Sequence, residues 1–301
     1  MNGVATAPGA GTVLNALATG QGSAFAIDVE TTATVELAAD ADVVTGEIAG
    51  APDADTRLIE RCVERVVDRF GGSEGGVVTT DSEVPMAAGL KSSSAAANAT
   101  VLATLDALDV AVVDDTVAGD SDDAAADGDA ITKLDACRIG VEAARDVGVT
   151  ITGAFDDAAA SMLGGVVVTD NTADELLIRE TREWAVLVWT PPERAYSADA
   201  DVDRCENIAE MADLVAELAL DGRFGEAMTV NGLAYAAALD FNTDPAVEAM
   251  GHCHGVSLSG TGPSVVAVGE TASLAAVREL WAAREGTLIE TTTRQTGASI
   301  Q

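Results

Sequence analysis
Residues 85–99, PMAAGLKSSSAAANA, constrain this chain more than any other stretch. A turn marked by Pro85 and Gly89 runs into three hydroxyls, Ser92, Ser93 and Ser94, and then into an alanine-rich run reaching about Asp109. Alanine is the strongest helix former and serine a preferred N-cap, so a helix is predicted to start within Ser92–Ser94. The first N–H groups of such a helix have no partners within it and stand at the positive end of its dipole, which makes an anion site. Lys91 adds a full positive charge at the mouth, in a chain whose only other lysine is Lys133. Close packing would account for the alanines and serines but not for the glycine turn or the lysine. The stretch reads as a phosphate cradle.

With 301 residues the chain can bury a sizeable core and build two ordinary domains. Its 50 acidic residues outnumber 16 basic ones, for a net charge of −34. Such a surface repels nucleic acid and anionic membranes, so neither is expected as a partner. The acids are spread along the chain (Asp40, Asp53, Asp114, Asp201) and not gathered in a tail. Dispersed aspartate with little lysine reads as adaptation to a salty cytoplasm, where screening makes a dense like-charge surface tolerable. Cys62, Cys137, Cys205 and Cys253 form no CxxC pair, which points to reduced thiols. His252 and His254 flank Cys253; three adjacent residues converge poorly on one ion, so a surface turn is expected there. The start of the chain has no basic stretch followed by an apolar core, and no apolar run approaches the ~18 residues of a membrane helix. The expectation is a cytoplasmic protein.

Read in order, residues 4–37 predict two paired strands, with a turn at Gly20–Ser23 where backbone either approaches a ligand or simply reverses. Residues 54–70 place Leu58, Ile59, Cys62, Val63, Val66 and Val67 on one face of an amphipathic helix ended by Gly71 and Gly72. Val77–Thr80 reads as a strand, and 112–130 as an exposed acidic connector. Helical periodicity resumes over Ile131–Asp146. Then comes a second constellation: a β-rich stretch from Thr150 to Phe155, the adjacent acids Asp156 and Asp157, a small-residue helix 158–163, and Gly164-Gly165 before a valine strand. One acid at a helix start is often just a cap; two exceed that need. The second half predicts a strand at 184–189, helices over 201–219, 223–239 and 245–250, a strand–turn–strand at 256–269 with Gly260-Thr261-Gly262-Pro263 as its turn, a helix at 273–285 and a strand at 287–293. The pattern is α+β, with domains 1–170 and 171–301.

PMAAGLKSSSAAANA, FDDAAASMLGG and LSGTGPSVVAV, in that order, resemble the motifs of the galactokinase–homoserine kinase–mevalonate kinase–phosphomevalonate kinase (GHMP) superfamily. Within it, GTVLNALATGQGSAFAID, GLKSSSA with lysine in place of the usual glycine, and TITGAFDDA look like the archaeal shikimate kinases, over about residues 4–298. The resemblance implies a two-domain α+β kinase with its active site in the interdomain cleft, using ATP and Mg²⁺ to phosphorylate the 3-hydroxyl of shikimate. Homoserine or mevalonate is the alternative alcohol, and a metabolite-binding protein without turnover the alternative class; a homodimer is compatible with either. Asp157, four residues before Ser161 and seven before Gly164, takes the position of the catalytic aspartate, with Asp156 its structural neighbour. Lys91 joins it as the second catalytic residue. Nucleotide contacts fall on Pro85, Ala88, Gly89, Leu90, Lys91, Ser92, Ser93, Ser94 and Ala95. From the second domain come Gly260, Thr261 and Gly262, with Ser264 beside them. Ser93 and Glu142 are the metal candidates. Where the family's GKGSAF-like segment usually has lysine, this chain has Gln21. A carboxylate substrate calls for an arginine fork, for which Arg138, Arg145, Arg194, Arg204 and Arg294 all stand open.

Overall fold
β1 (Asn2–Leu14) and β2 (Gln21–Ala38) form one long antiparallel hairpin, and the first half of the molecule is built on it. The computed structural model describes residues 1–85, 88–114, 130–150, 152–192 and 201–301. The acidic connector and Arg194 therefore lie largely or wholly outside the described residues. The hairpin turns at 15–20, and Gln21–Ser23, expected in the turn, already pair as strand with residues 168–170 of a later strand. Beyond it, β3 (Val44–Ile48), α1 (Arg57–Phe70) and β4 (Gly75–Ser82) make a strand–helix–strand unit whose two strands run parallel. The face of α1 read from its apolar spacing is the buried one.

Next come α2 (Ser92–Ala107), the short strands β5 (Ala111–Val113) and β6 (Ala130–Thr132), α3 (Lys133–Asp146) and α4 (Phe155–Leu163). α2 is enclosed by the sheet and by α1, α3 and α4, so it is apolar all round where an exposed helix would be striped. The strand expected from Thr150 does not form at the described positions. Ala154 adopts φ +49° to start α4, and that local geometry overrides β-branched propensity.

β7 (Val166–Asp170) pairs with β2, and β8 (Glu175–Glu180) with β7. A division at residue 170 therefore falls inside a hairpin whose two strands share one sheet. The other half holds β9 (Ala185–Thr190), α5 (Val202–Glu206), α6 (Ala209–Leu220), α7 (Phe224–Ala238), α8 (Asp244–Ala249), β10 (Gly255–Leu258), β11 (Val265–Gly269), α9 (Thr271–Ala282) and β12 (Thr287–Thr292). Its antiparallel sheet runs β10-β11-β9-β12. The last strand, β13 (Ser299–Ile300), crosses back to β1, so the chain ends in its first sheet.

The two halves share a core in which Leu14, Phe25 and Val166 meet Val188, Phe224 and Val266. Trp184 stands edge-on to both Phe25 and Phe224, with centroids 5.9 and 6.4 Å apart. Burying each of these large side chains contributes about 1.5–3 kcal/mol, enough to hold the halves in one relative placement. That placement sets the cleft between them.

Candidate active site
A cleft of about 640 Å³ opens where the N-termini of α2 and α4 converge. Thr12 from β1, Asn15–Leu17 from the hairpin turn and Gly260–Gly262 from the second half line its other sides. The start of α2 differs from the serine cap expected. Lys91 is the N-cap residue, held at φ +64°, and no side chain caps the helix. Ser92–Ser94 form the first turn and line the cleft. Their N–H groups are left to a ligand, which suits an anion better than a capped helix would.

Lys91 Nζ lies 2.9 Å from Asp157 Oδ1 across the cleft, with the two side chains only 8% and 13% exposed. Among the described residues no other group donates a hydrogen bond to that buried oxygen, so the contact is an ion pair. α4 also starts without a side-chain cap, at Ala154, which rules out the capping role for Asp156 and Asp157. Both line the cleft. Lys91 is the only cation among the described lining residues.

Of the nucleotide candidates, Gly89, Lys91, Ser92, Ser93 and Ser94 face the cleft, as do Gly260, Thr261 and Gly262. Ala88, Leu90 and Ala95 are buried and Pro85 is half-buried; they hold the loop from behind. Leu90 sits in the shared core, and its carbonyl accepts the N–H of Ala10. Glu142 is not brought to the site. It projects from the outer face of α3, where Arg65 donates to it at 2.5 Å.

The arginines are equally committed. Arg138 donates to Asp135 and to the carbonyl of Asp174, Arg145 takes both carboxylate oxygens of Asp174, Arg204 donates to the carbonyl of Ala237, and Arg294 pairs with Glu30. None of these four lines the cleft. Gln21 opens β2 opposite Asp170 and does not line it either. His252–His254 lie in the turn entering β10, and no metal-holding cluster occurs among the described residues.

A buried polar network went unread in the sequence. Asn15 donates Nδ2 to the carbonyl of Gly260 and its own N–H to Asn231 Oδ1; Tyr235 donates to the carbonyl of Asn15. Gly260 donates to Thr12 Oγ1, and Ser259 donates to the carbonyl of Gly89. The glycine turn of the second half is thereby fixed against the phosphate loop of the first. Only "Asn in an apolar run" could have signalled it, and that is no signal of a partner more than 200 residues away.

Gly89 is required at this junction. Its φ is +75°, and a Cβ there would fall 2.2 Å from the carbonyl oxygen of Ser259. Gly89→Ala is expected to destabilise the protein by at least about 1–2 kcal/mol from backbone strain alone, and to weaken ATP binding about tenfold by displacing the loop. Thermal unfolding and nucleotide titration in molar KCl check both.

An anion cradle at one helix start, an ammonium, and a carboxylate at a second helix start define a small-molecule kinase of the GHMP type. The sequence models described as GHMP kinases N terminal domain and GHMP kinases C terminal match residues 57–165 and 215–284. The fold agrees. Homoserine kinase from Cytophaga hutchinsonii superposes with a TM-score of 0.72 at 15% identity, covering 100% of this chain and 97% of that one. For the mevalonate kinase of Methanococcus jannaschii the TM-score is 0.69 at 12% identity, covering 97% and 98%. The shikimate kinase of Halobacterium salinarum is 61% identical, covering 99% of both chains, and that of Methanosarcina mazei 46%, covering 99% and 96%. The chain belongs to the shikimate kinase family within the GHMP kinases. It is a kinase, and ATP is its phosphoryl donor.

Proposed function
We propose that this enzyme transfers the γ-phosphoryl group of ATP to the 3-hydroxyl of shikimate, a step of aromatic amino acid biosynthesis. The observation that carries the chemistry is the Lys91–Asp157 pair, poised between the starts of α2 and α4. The substrate rests on the 61% identical relative. The hydroxyl donates to the Asp157 carboxylate, which lines the cleft; as its oxygen bonds to the γ-phosphorus, its proton passes to that carboxylate and ADP leaves. Lys91 neutralises charge on the transferring group, and the N–H groups of Ser92–Ser94 hold the phosphates. A deficiency of cations fits a divalent ion as well. The start of α2 offers the cleft the three hydroxyls of Ser92–Ser94, no metal-holding cluster occurs among the described residues, and Mg²⁺ is commonly held by nucleotide phosphates, waters and one or two protein oxygens. Ser93, the most exposed of the three serines, is the ligand best placed for it, and the ion supplies charge neutralisation on the phosphates. The enzyme acts in the cytoplasm. No described helix is long and apolar enough to cross a membrane.

The test is ADP release with Mg²⁺ and ATP in molar KCl, offering shikimate, homoserine and mevalonate separately. Turnover on shikimate alone is the expected result. Turnover on another alcohol would keep the kinase and remove the substrate.

A further inference from the structure
Asp156 is the buried ionisable group of the cleft wall that the transfer above leaves unused. It is 4% exposed, next to Asp157 in the first turn of α4. Three other residues are shaped around it. Asn171, just past β7, donates Nδ2 to Asp156 Oδ1 at 2.8 Å and accepts the N–H of Asp156 at 3.1 Å. The hydroxyl of Thr169 donates to the same Asn171 oxygen at 2.7 Å, which fixes the amide with its NH₂ toward Asp156. Gly22 lies against the carboxyl so closely that a Cβ would come within 2.5 Å of its carbon. The Asn171 oxygen also satisfies a first-turn N–H of α4, but its NH₂ contact is made to the Asp156 carboxyl alone.

Two carboxyls here face one ammonium, that of Lys91. The other groups near Asp156 bring little charge. Thr169 and Asn171 are neutral, and Tyr235 on α7 has its phenol pushed up by burial. Arg145 on α3 reaches only the far, carbonyl side of Asn171 and is held by Asp174. Burying a second negative charge beside Asp157 is costly, whereas a neutral acid there is not.

We propose that Asp156 is a positioning residue that carries a proton, leaving Asp157 the single negative carboxyl that faces Lys91 and the acceptor hydroxyl. This rests on the kinase reading above. In support, burial first and the charge of Asp157 second push the Asp156 carboxyl up to about 7, against the opposing pull of Lys91 and Asn171. As pH rises through that value Asp156 becomes a second anion beside Asp157 and the nucleotide phosphates. The sign for stability is the same. A carboxyl raised on folding contributes stability that is full below its unfolded range and lost as pH climbs through its folded value.

The experiment compares the full-length wild type, Asp156→Asn and Asp156→Ala in molar KCl from pH 5.5 to 9, measuring kcat, KM for Mg²⁺-ATP, and the thermal midpoint without substrates. The wild type is expected to lose about fivefold or more in kcat between pH 6.5 and 8.5, while its midpoint falls from pH 5.5 to about 7 and levels off above, where the carboxyl is ionised in the folded and the unfolded chain alike. Asp156→Asn matches the protonated acid in shape; its amide oxygen takes the Asn171 hydrogen bond. It is expected to keep about a third of wild-type kcat at pH 6.5 and to lose both pH dependences. Asp156→Ala is expected to drop kcat by about tenfold or more at every pH with KM little changed, since the loss falls on the orientation of Asp157. An Asp156→Asn enzyme that falls with pH as the wild type does, or that is as weak as Asp156→Ala at pH 6.5, overturns the proposal. The thermal arm needs no substrate, so wild-type silence on shikimate would sink the functional reading while still leaving the proton on Asp156 tested.

Discussion

Asp157→Ala is expected to lower kcat by about 10³-fold while ATP still binds, because proton acceptance by a positioned side chain is worth roughly 10²–10⁴ in rate. The loss should fall on kcat and not on the KM for ATP. In the proposed function the carboxylate meets the acceptor hydroxyl, whereas the nucleotide is assigned to the start of α2 and the glycine turn, which line the same cleft. Asp157→Glu should not rescue it. The Oδ1 atom is already 2.9 Å from Lys91 Nζ in a buried pair, and one extra methylene displaces it by about 1 Å, a shift that can cost about 10²-fold. Single-turnover ADP formation together with equilibrium nucleotide binding separates the two effects. A variant that keeps more than about a tenth of wild-type kcat would remove Asp157 from its role.

Lys91→Met should lower kcat/KM by about 10²–10³-fold, the magnitude seen when one preorganised donor to a developing charge is lost. Methionine keeps the length of the stem and, like lysine, must accept the left-handed backbone of the N-cap position. The substitution therefore isolates the charge. Arginine is not a conservative replacement here. The ammonium lies 2.8 Å from the position a Cβ on Gly260 would take, and a planar fork is wider than a point charge. Lys91→Arg is expected to recover less than a tenth of the lost activity, measured as kcat/KM for ATP at saturating shikimate. Recovery to near wild type would mean that only charge, and not shape, matters at this place.

The turn and helix start at residues 89–94 were legible because their signal is local. Glycine, lysine, three hydroxyls and an alanine run name a turn and a helix start without reference to anything else in the chain, and the helix begins within the predicted residues. α1 was legible for a similar reason: apolar spacing reports one buried face whatever covers it. The stretch from Thr150 was misread as strand because propensity there competes with the start of α4, and a positive φ at Ala154 cannot be seen in an alanine. The position of Glu142 and the partners of the arginines were not legible for another reason. Each has several opposite charges within reach of its sequence neighbourhood, and the choice of Arg65 for Glu142, 77 residues away, is made by how α1 packs on α3.

The sequence by itself determined the order of motifs, the helix start behind Lys91, the paired acids Asp156 and Asp157 at a second helix start, and the family, since all of these are carried by residue type at short spacing. Tertiary structure alone decided that Lys91 meets Asp157, that Asn15 ties the glycine turn to the first hairpin and Ser259 ties it to the Gly89 loop, and that Asp156 is sealed against Gly22 and Asn171. Burial and through-space distance set the energy of a charge or an amide. Both depend on elements that adjoin only after the two halves have closed on their shared core.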